Sequence, residues 1–263
     1  MAYDYSELVP YLLHWYGRNA RILPWREQPK PYYVWVSEIM LQQTRVEAVK
    51  GYFDRFLAEL PDIRALALAE EEKLLKLWEG LGYYNRVRNM QKAAKQVVEE
   101  FGGELPADYE KLKTLPGIGS YTAGAIASIA FGLREPTVDG NVLRVLKRVA
   151  ASRDDITKEK VKRELEDDVR KILPKERPGD LNQSLMELGA TVCLPNGKPL
   201  CEQCPVMHLC KAFHEGCEME IPVKPPKKER RIEERTVIVI RFQDSIALHR
   251  RAPKGLLAGL WEF

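Results

Sequence analysis

Two acidic side chains in this sequence lie among apolar neighbours, where they could do chemistry in a protected cavity. Glu38 lies in the segment VSEIMLQQT, and on a helical wheel Glu38 and Gln42 point the same way as the apolar residues that follow. Asp139 lies in PTVDGNV, just ahead of an apolar helical stripe. Cleavage of a glycosidic bond requires two such carboxylates that converge on one cavity, one protonated and one ionised. For each acid alone an ordinary interpretation stays open: a favourable helix-dipole contact for Glu38 and a helix N-cap for Asp139.

The cysteines are the second group of residues that could do chemistry. All five lie between Cys193 and Cys217, and the first four follow the pattern Cys193-x7-Cys201-x2-Cys204-x5-Cys210. Four such thiolates can hold one tetrahedral metal ion or a cluster of four irons, whereas disulfide frameworks spread more widely. A single CxxC with unequal flanking gaps favours the iron–sulfur cluster, with structural zinc or buried free cysteines as alternatives. Cys217 is left over as a non-ligand.

A glycine-containing turn is the third feature that could take part in function. The segment Leu115-Pro-Gly-Ile-Gly119 places Gly117 and Gly119 between two predicted helices, 108–114 and 120–131. Glycines let the backbone turn sharply, and the free N–H groups at the start of the next helix attract anions. A plain helix–helix connection is the alternative. Followed by YTAGA, the turn matches the helix-hairpin-helix motif, which holds a DNA phosphate.

The elements that must position these residues are mainly helical. Between residues 5 and about 213 the apolar periodicity predicts helices over 38–60, 86–101, 120–131, 141–150 and 158–173. Residues 221–235, with prolines and a charge run, are typical of an exposed linker. The stretches 236–241 and 245–251 read as two strands of a hairpin. We therefore expect 236–263 to be the opening of a second, β-containing domain that is cut short.

Composition sets the class of protein but not its function. The 263 residues carry a formal net charge of only +3, so any phosphate-binding surface must be local. No apolar run is long enough for a membrane span, and the amphipathic, acidic start is unlike a signal peptide. We expect a cytoplasmic protein without a membrane partner.

Five segments in this order resemble the MutY adenine DNA glycosylases over roughly residues 10–215. They are WVSEIMLQQT (35–44), EGLGYYNRVRN (79–89), LPGIGSYTAGA (115–125), PTVDGNVLRV (136–145) and the cysteine cluster. The resemblance implies a mainly α, two-lobed helix-hairpin-helix glycosylase fold, with a six-helix barrel, an iron–sulfur module and a truncated C-terminal β-hairpin segment. DNA and the flipped base would lie between the lobes.

The resemblance also implies a domain order. We expect an N-terminal helix that packs on the iron–sulfur module (1–28), the barrel with the hairpin (29–135), the iron–sulfur module (136–220) and the linker (221–235). Residues 236–263 would begin a MutT-like (Nudix-like) domain that recognises 8-oxoguanine. With most of that domain missing, we expect adenine opposite guanine to be processed almost as readily as adenine opposite 8-oxoguanine.

By the same resemblance, Glu38 would protonate N7 of adenine, and Asp139 would stabilise the oxocarbenium-like sugar, with Tyr121 and Asn141 holding that centre. The residues expected at the adenine pocket are Arg21, Trp25, Arg26 and Gln183. Those expected to contact DNA elsewhere are Leu41, Gln42, Gln43, Thr44, Tyr83, Gly117 and Gly119; of these, Gln43, Thr44 and Tyr83 would lie near the opposite base and the wedge. The ligands expected for a [4Fe-4S] cluster are Cys193, Cys201, Cys204 and Cys210. Core packing stays an alternative for Trp25 and Tyr83.

The predicted function is that of a monomeric, monofunctional glycosylase. It would flip out and hydrolytically remove adenine opposite 8-oxoguanine or guanine in double-stranded DNA, leaving an abasic site. An endonuclease III-like enzyme for oxidised pyrimidines is the first alternative, but its hairpin carries a lysine where this chain has Tyr121, so strong lyase activity is not expected. A non-catalytic iron–sulfur DNA-binding protein is the second, and it would explain neither acid.

One departure from the family pattern concerns the first cysteine gap, which usually holds six residues and here holds seven, LPNGKPL. Asn196-Gly197 can bulge outward as a turn. We therefore expect the cluster to be kept.

Overall fold

The computed structural model describes residues 3–225, 232, 234, 236–252, 255 and 257–263, and it is mainly helical, as predicted. The helices are α1 (Leu8–Asn19), α2 (Pro24–Glu27), α3 (Pro31–Leu41), α4 (Val46–Glu59), α5 (Ile63–Leu68), α6 (Glu71–Trp78), α7 (Asn85–Phe101), α8 (Tyr109–Lys113), α9 (Ser120–Ala125), α10 (Gly140–Val149), α11 (Glu159–Ile172), α12 (Pro178–Thr191) and α13 (Lys211–Glu215). A π-helical turn (Ile126–Ala130) continues α9, and short 3-10 turns cover Cys201–Gln203 and Met207–Leu209. No helix in the described ranges is long and apolar enough to cross a membrane.

Two buried clusters divide the helices into lobes. The first extends from Leu23 to Ala127 and contains the fully buried Trp35, Phe56 and Trp78. Helix α3 is buried almost all round, so it forms the centre of this lobe. Large aromatic side chains give such a core much of its buried area.

The second cluster joins the N-terminal helix to the later half of the chain. Leu8 and Leu12 of α1 pack against α12, and the buried stripe of α10 contains Val142, Leu146 and Val149. Helix α12 also contacts the π-helical turn that follows α9. The two lobes therefore meet along α12, and the start of α10 lies at their junction.

The prediction from the sequence was wrong for one helix that positions the site. Residues 38–60 do not form one helix: α3 ends at Leu41, α4 begins at Val46, and Gln43 between them has a left-handed φ of 60°. Glu38 consequently lies near the end of a helix, not at the beginning of one. The physical reason is Arg86, whose guanidinium donates hydrogen bonds of 2.7 Å to the carbonyls of Ile39 and Gln42 and so satisfies the helix end.

The predicted C-terminal hairpin is shorter than expected. Strands β1 (Arg241–Phe242) and β2 (Ser245–Ile246) pair antiparallel, whereas residues 236–240 are exposed and lie outside any strand. Strand β3 (His249–Arg250) pairs instead with β4 (Trp261–Glu262). Two-stranded pairs with little buried area are marginal on their own, which explains their short length. Much of the predicted linker 221–235 lies outside the described residues, although Ile221 is buried.

Candidate active site

A cleft of about 680 Å³ opens between the two lobes and gathers most of the predicted site. The predicted residues that line it are Arg21, Trp25, Arg26, Glu38, Leu41, Gln42, Gln43, Thr44, Tyr121, Asp139, Asn141 and Gln183. Tyr83, Gly117 and Gly119 are not among its lining residues. The two acids therefore share one cavity, although they come from different lobes.

Glu38 is held at the floor of this cleft by the last turn of α3. Its side chain is buried, and the Tyr121 hydroxyl donates a 2.7 Å hydrogen bond to its Oε2. Burial raises the pKa of Glu38 to about 7, helped by the nearby charge of Asp139 and opposed by the hydrogen bond from Tyr121. A carboxyl group with a pKa near neutrality can deliver a proton at physiological pH.

Asp139 is the N-cap of α10, so its ordinary structural interpretation and its place in the cleft are both correct. Its Oδ1 accepts from the backbone N–H groups of Asn141 (2.9 Å) and Val142 (2.8 Å), and its Oδ2 accepts from Asn141 Nδ2 at 2.7 Å. Burial raises the pKa of Asp139, and these three hydrogen bonds oppose the rise. The carboxylate is fixed in orientation and has donors that favour its ionised form.

The support of Asp139 continues toward the cysteine segment. Arg144 Nη2 donates to Asn141 Oδ1 at 2.8 Å, and Arg144 Nε donates to the carbonyl of Cys193 at 2.8 Å. Tyr121, in contrast, is bonded to Glu38, with the Met186 sulfur 3.4 Å from its hydroxyl. Of the two residues predicted to hold the sugar centre, Asn141 contacts Asp139 directly and Tyr121 contacts the other acid.

Sequence reasoning missed the buried acid Glu187, which organises the end of the cleft lined by Arg21, Arg26 and Gln183. Arg21 Nε and Arg26 Nη2 donate to its two oxygens at 2.7 and 2.8 Å, and Arg26 Nε donates to Gln183 Oε1 at 3.1 Å. Burial alone would raise the pKa of Glu187, but the two arginines outweigh it and lower the pKa to about 2. The signal available in the sequence was a glutamate on an otherwise apolar helix face, together with two arginines that needed a partner.

Trp25 belongs both to the core and to the cleft wall. It is buried, and its ring meets Phe53 edge-on with centroids 5.4 Å apart. Tyr83 is different, since 64% of it is exposed and its φ is 47°. The Arg86 guanidinium lies 5.6 Å from the Tyr83 ring centre and bonds to the α3–α4 turn. Tyr83 is therefore not a core residue; it projects from a turn that Arg86 connects to Gln42.

The predicted hairpin joins α8 to α9. Gly117 has φ +79°, which an L side chain rarely adopts, and an added Cβ would lie 2.9 Å from Asn89 Cβ. Gly119 is the N-cap of α9 with an extended φ of −92°, and an added Cβ there would meet open space. Only the first glycine is needed for backbone conformation, whereas Gly119 leaves the surface in front of α9 open.

Four of the five cysteines line one small cavity: Cys193, Cys201, Cys204 and Cys210. Arg148 Nη1 lies 3.2 Å from Cys193 Sγ, and Cys217 packs in a separate small cluster with Ala212 and Ile221. No group of three His, Cys, Asp or Glu side chains converges on a single-ion site within the described part of the chain. Four sulfur donors around one cavity, beside a cationic donor, fit the chemistry of an iron–sulfur cluster. The extra residue of the first gap bulges as predicted, with 195–198 exposed and Gly197 at φ +73°.

Known proteins resemble this chain over nearly all of its length. The adenine DNA glycosylases of Mus musculus and Homo sapiens are 41% and 40% identical to it over 96% and 99% of this chain. The chain covers 59% and 58% of those two proteins, so it spans about three fifths of their length. The adenine DNA glycosylase of Buchnera aphidicola subsp. Schizaphis graminum is 36% identical over 99% of this chain and 74% of its own length.

Solved structures with the same fold come from related enzymes. A thermostable thymine-DNA glycosylase superposes with a TM-score of 0.71 at 26% identity, over 80% of this chain and 96% of that one. A trapped endonuclease III–DNA covalent intermediate gives a TM-score of 0.68 at 26% identity, over 82% and 99%. The family model described as HhH-GPD superfamily base excision DNA repair protein matches residues 36–171. With more than half of its residues in that match and a 36% identical relative covered over most of its length, this chain belongs to the HhH-GPD superfamily and, within it, to the adenine DNA glycosylases.

Proposed function

We propose that this chain is a monofunctional glycosylase that removes adenine opposite 8-oxoguanine or guanine in double-stranded DNA and leaves an abasic site. The observation that supports it most is the pair Glu38 and Asp139, a buried and a partly buried acid from different lobes that line one cleft. Membership of the adenine DNA glycosylases supports the choice of base.

The two acids divide the work because their surroundings differ. Glu38, whose pKa is raised to about 7, donates its proton to N7 of the extruded adenine, so the base leaves with the electron pair of the C1′–N9 bond as a neutral molecule. Asp139, fixed by Asn141 and Val142, stabilises the positive charge that develops on the sugar. Water then adds to C1′ and passes a proton to the Glu38 carboxylate, which restores the acid. Tyr121 keeps the Glu38 carboxyl oriented through its hydroxyl.

The pocket for the base is built by the Glu187 network. Arg21 and Arg26 are held at fixed positions by Glu187, and Gln183 is held by Arg26. Pre-set polar groups against an apolar wall can read the edge of an extruded base. Extrusion costs a few kcal/mol of stacking, and we assign the exposed ring of Tyr83 to filling the gap that the base leaves.

We also propose a [4Fe-4S] cluster held by Cys193, Cys201, Cys204 and Cys210. When bound, the cluster supplies a redox-active metal centre, and its iron–thiolate bonds cross-link this part of the chain. Arg144 donates hydrogen bonds both to the Cys193 carbonyl and to the Asn141 side chain. It thereby connects the residue that orients Asp139 to the cysteine segment. Strong lyase activity is not proposed, because Tyr121 stands at the hairpin position of the lyase amine. The finer expectations that the chain is monomeric and cytoplasmic stay predictions.

Base release from three duplexes tests the proposal. They contain adenine opposite 8-oxoguanine, adenine opposite guanine, and thymine glycol. Release of adenine from the first two supports the proposed function. Release from the thymine glycol duplex alone would assign the chain to oxidised pyrimidines, and release from none would leave a DNA-binding protein.

A further inference from the structure

Three basic side chains are among the described residues that line the cleft, and two of them already form ion pairs within the protein. Arg21 and Arg26 both bond to the buried carboxylate of Glu187. Their charges are neutralised within the protein, and their donors point at a fixed partner. Lys162 of α11 is the remaining basic residue among the described cleft-lining residues.

Lys162 is bound only loosely within the protein. Its Nζ lies 3.9 Å from Glu166 Oε1, beyond hydrogen-bond length, and about a third of its side chain is exposed. Ion pairs of this kind contribute little and exchange readily with other partners. The ammonium group therefore keeps its donors for an anion that enters the cleft.

The placement of Lys162 follows from the register of α11. Val161, Leu165 and Val169 form the buried stripe of this helix. The residue before each of them lies on one side of the stripe, and the residue after each of them lies on the other side. Lys162 and Glu166 share one flank, and Glu166 Oε1 lies 3.4 Å from the Ser120 hydroxyl, directly after the glycine hairpin. That flank faces both the hairpin and the cleft that contains Asp139.

We propose that Lys162 binds a backbone phosphate of the DNA strand that carries the extruded nucleotide. The strand must pass between the hairpin and Asp139 to place its sugar at that carboxylate, and Lys162 lies beside both. A phosphodiester is the anion that a mobile ammonium at this position would meet. This inference rests on the proposed function, because it takes DNA as the ligand of the cleft.

The same helix offers a matched control. Lys160 and Glu164 form a second pair of the same spacing, 3.7 Å apart, but Lys160 is 85% exposed and is not a cleft residue. Lys160→Gln removes the same charge from the same helix, two residues away and on the opposite flank. Any effect specific to Lys162→Gln is therefore due to position and not to net charge.

The experiment measures affinity for an adenine–8-oxoguanine duplex across a salt series, with the full chain carrying Glu38→Gln so that the duplex stays intact. One phosphate contact contributes about 0.9 to the slope of log K against log salt. In this background Lys162→Gln should lower the slope by about that amount and weaken binding roughly three- to tenfold. Lys160→Gln should change neither, and Lys162→Arg should restore both.

Equal slopes for the Lys162→Gln and Lys160→Gln proteins would overturn the inference. Borohydride trapping of an abasic duplex that disappears in Lys162→Gln would also overturn it, by assigning the amine to covalent chemistry. The proposed function is judged separately, by adenine release from the chain with native Glu38. A chain that releases no adenine but loses the slope in Lys162→Gln would refute the function and keep the phosphate contact.

Discussion

Glu38 is a buried acid at the cleft, and its substitution tests the proposed chemistry directly. Glu38→Gln keeps the shape and a hydrogen-bonding atom for Tyr121 but cannot deliver the proton. We expect single-turnover adenine release to fall by at least about 10²–10⁴-fold, with duplex affinity nearly unchanged. A variant that retains most of the rate would refute the assigned role.

The raised pKa of Glu38 also predicts a pH dependence of the rate. The acid must be protonated to act, and burial raises its pKa to about 7. The single-turnover rate should therefore decline as pH rises through about 7, by close to tenfold per unit at higher pH. A rate that stays flat from pH 6 to about 9 would show that another group supplies the proton.

The same shift has a consequence for stability. A carboxyl whose pKa is higher in the folded than in the unfolded protein stabilises the fold below the unfolded pKa of about 4.5, and this contribution is lost as pH rises through about 7. The neutral Glu38→Gln side chain avoids that loss, which is on the order of 3 kcal/mol. We expect the variant to melt several degrees above the native chain at pH 8 but at nearly the same temperature at pH 4. An equal difference at both pH values would contradict the buried-acid interpretation.

At the scale of elements, the close approach of α12 to the start of α10 positions Asp139. A Cβ added at Gly189 of α12 would lie 2.5 Å from Asn141 Cβ and 3.0 Å from its Cα. We expect Gly189→Ala to push the Asp139–Asn141 turn away from the cleft and to lower the adenine release rate at least tenfold, although it alters no group that reacts.

Gly17→Ala is the control for that substitution. Gly17 also lies in a helix, α1, but an added Cβ there meets nothing within 4 Å. The alanine should stabilise the chain by up to about 1 kcal/mol through helix propensity and leave the rate unchanged. If both variants kept the native rate, the α10–α12 contact would not position the acid.

The element scale also shows why some helices were predictable and others were not. The predicted ends of helices 86–101, 141–150 and 158–173 lie within one residue of those of the observed α7, α10 and α11, because each helix has a clear apolar stripe and an ordinary boundary. The break between α3 and α4 was missed because its cause, Arg86, lies 44 residues after Gln42 in the sequence. Local periodicity carries no information about such a distant donor.

In the candidate site, too, the residues with a local sequence signal were predicted, and those that depend on distant partners were missed. Glu38 and Asp139 were found because an acid among apolar residues is locally unusual and the surrounding motifs resemble a known family. Glu187 and Lys162 were missed because their significance depends on which groups face them: Arg21 and Arg26 for one, and the hairpin for the other. Convergence from two lobes is a property of the fold and not of any segment.

At the scale of the whole molecule, the cysteine cavity joins distant parts of the second lobe. Purified chain should be brown and contain close to four irons with sulfide. Cys204→Ser should lose the iron or become insoluble, because Cys204 lines the cavity, whereas Cys217→Ser should keep it, because Cys217 lies outside. Iron analysis and visible absorption check this. Stoichiometric zinc in protein made anaerobically in iron-rich medium would refute the cluster.

The C-terminal segment contrasts with the helical lobes, and its weak attachment leads to a last prediction. Its apolar side chains Val237, Ile238 and Phe242 are more than half exposed, and one described contact with the helices is the hydrogen bond from Arg88 Nη1 to the carbonyl of Ala258 at 3.0 Å. Few buried contacts mean a low free energy of local opening, so limited proteolysis should cut within 236–252 before it cuts the helices.

The proposed catalytic acids Glu38 and Asp139 and the cysteine cavity all precede that segment. The nicked protein should therefore keep its iron and release adenine opposite guanine and opposite 8-oxoguanine at rates within about twofold of the intact chain, since selectivity is a difference in binding energies to which a weakly attached segment adds little. Single-turnover rates on both duplexes, before and after a timed digest followed by mass spectrometry, measure this. A change in the ratio of the two rates on nicking would show that residues 236–263 sense the opposite base and would contradict this prediction.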